Sequence, residues 1–198
     1  MKMVYNVLLV GTGGQGIITL SKILATAAMS KNLKVIVTQK KGLAQRGGSV
    51  VAQVRIGDVY SPQIPKYSSH SLISMNINET FEYLDYINKN SILLINNKGI
   101  NDSVLLSKRD KIQQEEIKQL QESMKDNIVF IDTKLKIKQK DVSKGANIYM
   151  LGVLLGMDNR INSFIKKDDI ISSIKKNLKK NTELNIELFN KGIQFKKI

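Results

Sequence analysis

The stretch LLVGTGGQGIITLSKIL, residues 8–24, constrains the chain more than any other. Val4 to Val10 is an almost unbroken apolar run of strand length, as a parallel strand covered on both faces requires. Gly11, Thr12, Gly13, Gly14, Gln15 and Gly16 follow it. Then Ile17, Leu20, Leu24 and Ala27 recur at helical spacing, with Ser21, Lys22 and Lys31 assigned to other faces and a helix end near Asn32. A strand, a glycine-rich turn and a helix in that order open many dinucleotide-binding units. Such a turn aims backbone N–H groups and the positive end of a helix at one point, which suits an anion.

Gly11, Gly13 and Gly16 satisfy G-x-G-x-x-G. The next part of that fingerprint is missing. An acid for the ribose diol belongs at the end of the second strand, about 20 residues on, and Thr38, Gln39, Lys40 and Lys41 stand there instead. Gly11 and Gly16 also fit the spacing of a phosphate-binding loop, but Ile17 and Ile18 occupy its Lys and Ser/Thr positions, which argues against ATP hydrolysis. Two readings of the turn stay open on spacing alone: anion or nucleotide binding, and a purely structural turn. A second cluster, KKGLAQRGGSVVAQVRIG, carries Gln45, Arg46, Gly47, Gly48 and Ser49 ahead of another strand. Its glycines let the chain turn closely, and Arg46 offers a planar fork of donors. The competing reading is an ordinary turn with a surface arginine.

With 198 residues, 42% of them hydrophobic, a single domain over residues 1–198 is expected. The absence of cysteine rules out a disulfide, a thiolate zinc site or a cysteine-ligated iron–sulfur cluster on this chain. No segment approaches the roughly 20 apolar residues that cross a bilayer, so a soluble, cytoplasmic protein with no membrane partner is expected. The net charge of +14 raises nucleic acid as a partner. Only Arg46, Arg55, Arg109 and Arg160 are arginines and only 6% of residues are aromatic, which disfavours phosphate forks and base stacking. Met1 to Gly57 holds no Asp or Glu but eight Lys and Arg: Lys2, Lys22, Lys31, Lys34, Lys40, Lys41, Arg46 and Arg55. An anion at the glycine clusters would meet a positive field there, and an acidic partner surface is the other reading.

Further along, KVIVTQ and SVVAQVRIG read as strands, with a tight hairpin turn at Gly57 and Asp58. VYSPQIPKY carries both prolines and cannot be a regular central strand. HSLISMN, SILLINN and NIVFID read as strands, alternating with helices over NETFEYLDYINK and DKIQQEEIKQLQESMKD. Three helices close the chain: ANIYMLGVLLGM, DDIISSIKKNLKK and TELNIELFNKGIQF, the last capped at Thr182 and burying Ile186, Phe189 and Ile193. The alternation predicts an open, mostly parallel, Rossmann-like α/β sheet with helices on both faces, one β-hairpin excursion and C-terminal helices. His70, the single histidine, precedes an apolar strand and reads as structural; Glu115 and Glu116 read as a solvated helix face, and Asp168 and Asp169 as a helix start.

Taken together, VLLVGTGGQGIITLSKILATAAM, KGLAQRGGSVVAQVRIG, YSPQIP and ELNIELFNKG resemble the gamma-type subunit or domain of the 2-oxoacid:ferredoxin oxidoreductases, and within them the small (beta) subunit of the indolepyruvate type. The resemblance is strongest over residues 7–66. It implies a subunit of a hetero-oligomeric enzyme that decarboxylates a 2-oxoacid oxidatively on thiamine diphosphate, makes an acyl-CoA with coenzyme A and passes electrons to ferredoxin. Thiamine diphosphate, Mg and the iron–sulfur clusters would reside on a large partner subunit, with no cofactor bound by this chain alone and coenzyme A as cosubstrate. The resemblance implies a site along Gly11, Thr12, Gly13, Gly14, Gln15 and Gly16 beside Gln45, Arg46, Gly47, Gly48 and Ser49, facing the large subunit, with catalytic groups elsewhere. Two other classes compete with it, an independent Rossmann-type nucleotide-binding protein and a basic nucleic-acid binder.

Overall fold

The structure, a computed structural model, describes residues 3–42, 48–96 and 108–196. Its centre is β1 (Val4–Thr12), buried along all but its two ends. The apolar run makes it a strand that needs cover on both sides, and the fold supplies it. β2 (Val35–Lys41), β3 (Ser49–Gly57), β4 (Ser71–Ser74), β5 (Ile92–Asn96) and β6 (Ile128–Ile131) join it in a sheet of order β2-β3-β1-β4-β5-β6. β1, β4, β5 and β6 run parallel, while β3 lies antiparallel between β1 and β2.

Alternation along β1 divides the core in two. Tyr5, Val7 and Leu9 face one layer, against α1 (Ile17–Ser30), α5 (Gln139–Met157), α6 (Lys167–Asn177) and α7 (Thr182–Ile193). Leu8 and Val10 face the other, against α2 (Ile77–Thr80), a 3₁₀ segment over Phe81–Tyr86 and α3 (Lys108–Met124). Each such fully buried side chain stabilises the fold by about 1.5–3 kcal/mol relative to leaving it in water.

Several local expectations change. The hairpin is β2–β3, its rung Gly42 N–H to the Ser49 carbonyl, and not a turn at Gly57 and Asp58. Gly57, at φ +101°, ends β3 with its N–H on the Lys34 carbonyl, and the Met3 carbonyl fills the space a Cβ would need. The proline segment then crosses the sheet without joining it. Gln53 Oε1 accepts from Ile64 N–H, and Arg55 Nη1 donates to the Ser61 and Gln63 carbonyls. NETFEYLDYINK is one α turn followed by 3₁₀ helix, a geometry that eclipses i and i+3 and sets the Tyr83 and Tyr86 rings 6.2 Å apart. Ser21 is buried rather than on a solvent face, because its hydroxyl donates to the Ile18 carbonyl and accepts from Gln39 Nε2.

The last helix starts from Asn181, in the left-handed region, and not from a Thr182 cap; Thr182 Oγ1 turns back to the Leu178 carbonyl. Phe189 is fully buried, whereas Ile186 and Ile193 are half-buried. Gly152 of α5 and Gly192 of α7 explain the shift of burial. A Cβ on Gly152 would strike the Phe189 carbonyl, and one on Gly192 the Tyr149 carbonyl, so the two helices pack backbone to backbone.

Candidate functional site

After β1 the chain turns into α1 on one face of the sheet, and after β4 it turns into α2 on the other. Where the connections from two neighbouring parallel strands part to opposite faces, a crevice opens at the carboxyl ends of the strands. The glycine turn and Met75 form its two lips.

The turn is built from hydrogen bonds rather than from bulk. Gln15 N–H donates to the Thr12 carbonyl (3.1 Å), and Gln15 Oε1 accepts from Thr12 N–H (2.7 Å). Gln15 Nε2 donates to the Met75 carbonyl (3.1 Å). Gly14 sits at φ +93° with open space where a Cβ would be. Gly16, at φ +78°, is the N-cap of α1, and a side chain there would run into Asn147. Asn147 Nδ2 instead donates to the Gly16 carbonyl (3.1 Å), tying α5 to the turn. Among the described residues no side chain caps α1 and no acid lies in its first turn, so none of them takes its leading N–H groups, which face the crevice as donors for another acceptor.

The two glycine clusters meet. Ser49 pairs with Thr12 at the end of the β1–β3 ladder, and Gly13 N–H donates to the Gly48 carbonyl (3.0 Å). Gln45, Arg46 and Gly47 lie outside the described residues. Gly11 and Thr12 belong to β1 itself, and Gly14, Gln15 and Gly16 line a cavity of about 560 Å³. Its other walls come from Met75, Asn96 at the end of β5, the first half of α5 around Asn147, and Asn181 and Asn185 of the last helix. Lys134, Lys144 and Lys180 stand exposed on its rim, Lys144 3.7 Å from Asp141. Those cations come from the later part of the chain, not from the acid-free first 57 residues. Sequence reasoning missed Asn147, Met75 and Asn96 altogether; Asn147 is 131 residues from the carbonyl it holds, and no local pattern announces it.

The residues with ordinary catalytic chemistry gather elsewhere, at the amino ends of β1 and β4. The Tyr5 hydroxyl donates to Asp158 Oδ2 (2.7 Å), and Arg160 grips the same carboxylate through Nε and Nη2 (2.8 and 2.7 Å). His70 Nδ1 accepts from Asn6 N–H (3.0 Å), and its ring stacks on Tyr5. Burial holds His70 below its ordinary value, helped by Arg160. Burial would raise Asp158, but hydrogen bonds from Arg160 and Tyr5 outweigh it and keep the carboxyl below the usual range. Glu115 and Glu116 are exposed on α3, and Asp169 caps α6 by accepting from Lys166 N–H. Among the described residues no group of three or more His, Asp or Glu could hold a metal, and no helix is long and apolar enough to cross a membrane.

Comparison with known proteins supplies a relationship. The indolepyruvate oxidoreductase subunit IorB of Archaeoglobus fulgidus is 43% identical over 95 residues, which is 48% of this chain and 47% of that protein. The match therefore spans about half the length of that curated relative. Among solved structures, the pyruvate oxidoreductase subunit PORC of Thermotoga maritima superposes with a TM-score of 0.65 at 19% identity, covering 98% of this chain and 94% of that one. A 2-oxoglutarate:ferredoxin oxidoreductase from Magnetococcus marinus superposes at 0.68 and 18% identity, over 97% of this chain and 31% of that one. Those two likenesses are likenesses of fold. Residues 6–195, running through both glycine clusters and the α5–α7 pair, match the pyruvate ferredoxin/flavodoxin oxidoreductase family, and the chain belongs to that family.

Proposed function

We propose that this chain is the small subunit of a 2-oxoacid:ferredoxin oxidoreductase acting on indolepyruvate or a related aryl pyruvate. The assembled enzyme would release carbon dioxide from the 2-oxoacid, join the remaining acyl group to coenzyme A and pass two electrons to ferredoxin. Thiamine diphosphate, Mg and the iron–sulfur clusters belong on a large partner subunit in this reading; a chain without cysteine has no thiolate to hold a cluster. What this chain contributes is a shaped edge. The crevice beside the glycine turn takes a phosphate of coenzyme A on the leading N–H groups of α1, with Gly14 leaving room for close approach and the rim lysines supplying charge. Arg46 offers a bidentate contact to phosphate or carboxylate from the neighbouring loop.

One observation carries the reading: in a chain of this family, the start of α1, which no described side chain caps, opens onto a cavity at the sheet's switch point. An independent nucleotide-binding role is less well supported, since Thr38, Gln39, Lys40 and Lys41 give the second strand no acid for a ribose. The test is gentle anaerobic purification of the chain with whatever accompanies it, followed by 2-oxoacid-dependent viologen reduction with coenzyme A. A brown, thiamine-dependent complex active on indolepyruvate is expected. A colourless protein without a partner that binds NAD, FAD or ADP would overturn it.

A further inference from the structure

The β1–β4 ladder stops one rung early, and a side chain stands where that rung belongs. Val10 pairs with Ser74, and Met75 N–H donates to the Val10 carbonyl (2.8 Å). In a parallel ladder the following bond runs from Thr12 N–H to the Met75 carbonyl. Here Thr12 N–H goes to Gln15 Oε1 and the Met75 carbonyl receives Gln15 Nε2. A carboxamide carries the same donor and acceptor as a peptide unit, so it can be inserted into a ladder without orphaning either backbone group. Gly11 makes room for it: a Cβ there would sit 2.7 Å from Gln15 Oε1.

We infer that the Gln15 carboxamide is a wedge that holds β1 and β4 one amide apart at the floor of the crevice, and so positions the ligand-binding edge. This deepens the reading above and rests on it for its kinetic consequence. Gln15 is a positioning residue in this account. Its amide sets the gap between the glycine turn and Met75, and a ligand senses it through that gap. The motif then has a division of labour: Gly11 accommodates the wedge, Gln15 supplies it, and Gly14 faces the cavity it keeps open.

The inference predicts an unusual pairing of effects. Removing the amide in Gln15→Ala lets Thr12 N–H reach the Met75 carbonyl directly, so one backbone bond replaces two side-chain bonds and the fold is largely kept. The crevice narrows, and in the assembled enzyme KM for coenzyme A rises about tenfold while kcat stays within about twofold. A crystal structure of the complex containing Gln15→Ala tests the wedge directly. A Thr12 N–H to Met75 carbonyl bond supports it; strands left apart overturn it. If the strands close and KM does not move, the wedge stands and the coenzyme A reading falls.

Gln15→Glu gives a second route that does not depend on the alanine variant folding. The carboxylate keeps the acceptor for Thr12 N–H but faces the Met75 carbonyl with an oxygen, and only its protonated form can donate there. KM for coenzyme A is expected to be high at neutral pH and to fall toward the wild-type value as pH is lowered, with no such trend in wild type. A melting temperature that drops while KM stays constant at every pH would assign the residue a merely structural role and overturn the inference.

Discussion

The two ends of the sheet are opposites. At the amino ends of β1 and β4, Tyr5, His70, Asp158 and Arg160 carry the side chains from which active sites are usually assembled, and they bond one another. The Asp158 carboxylate is only 2% exposed and takes bonds from Tyr5 and from Arg160 backbone and side chain. At the carboxyl ends there are glycines, asparagines and a glutamine, with left-handed backbone at Gly14 and Gly16 and a cavity in front. A reading by residue type would choose the first end; a reading by unsatisfied geometry chooses the second. Under the proposed function, in which the chemistry belongs to a partner, position outranks reactivity.

The comparison breaks most sharply at Asp158. Asp158→Ala strips the acceptor from a buried Tyr5 hydroxyl and from Arg160, and is expected to cost about 3 kcal/mol of stability. Denaturant unfolding measures it, and coenzyme A saturation of the surviving enzyme is expected to be unchanged. If saturation falls with stability, the two ends are coupled and the division argued above is wrong. Gly14→Ala is the converse. Its methyl group meets no protein atom within 4 Å, so the fold loses only the left-handed backbone term, about 1–2 kcal/mol. The same methyl projects into the cavity, so saturation by coenzyme A is expected to weaken in steady-state kinetics even where the protein is fully folded.

Arg46 sharpens the comparison within one end. The described residues that flank 43–47 are Gly42, whose N–H donates to the Ser49 carbonyl, and Gly48, whose carbonyl accepts from Gly13 N–H in the turn. Arg46→Ala is expected to raise KM for coenzyme A or the 2-oxoacid about tenfold with little change in unfolding. Arg46→Lys should recover only part of it, because a point charge lacks the planar fork. Steady-state kinetics indistinguishable from wild type in both variants would remove Arg46 from the site.

Legibility in the sequence followed distance along the chain. β1, the glycine turn and α1 are adjacent, so the apolar run, the glycine spacing and the helical spacing announced them directly. The two glycine clusters were readable as neighbours only through the family resemblance, and the Gly13 to Gly48 bond gives the physical reason. The far wall was not readable. Asn147 reaches Gly16 because α5 packs over the sheet, and α5 lies where it does because Gly152 and Gly192 admit α7 so closely. Polarity also misled at Ser21, since a hydroxyl can satisfy itself on the Ile18 carbonyl and become a core residue. The hairpin was misplaced for a related reason: Gly57 and Asp58 have turn composition, but the antiparallel pairing is between β2 and β3, on either side of residues 42–48.

The smallest expected effect is a pH dependence confined to the amino end. In the unfolded chain His70 titrates near its ordinary 6.5, whereas in the fold burial and Arg160 lower it. Unfolded protein therefore binds the proton first. The stability contributed by neutral His70 is present above that value and is lost as pH falls through the window down to the lowered folded value. Protonating Nδ1 removes the acceptor for Asn6 N–H, the bond that closes the network onto β1. Asp158 adds a separate step at lower pH, because a lowered carboxyl contributes stability above its ordinary 3.8 that disappears as pH falls through its folded value. Thermal unfolding followed from about pH 8 to about pH 5 isolates the histidine step, and His70→Gln should flatten it while leaving KM for coenzyme A unmoved at each pH. A KM profile that changes with His70→Gln would carry the influence of the sealed end across the sheet, and the separation between a structural end and a binding end would have to be given up.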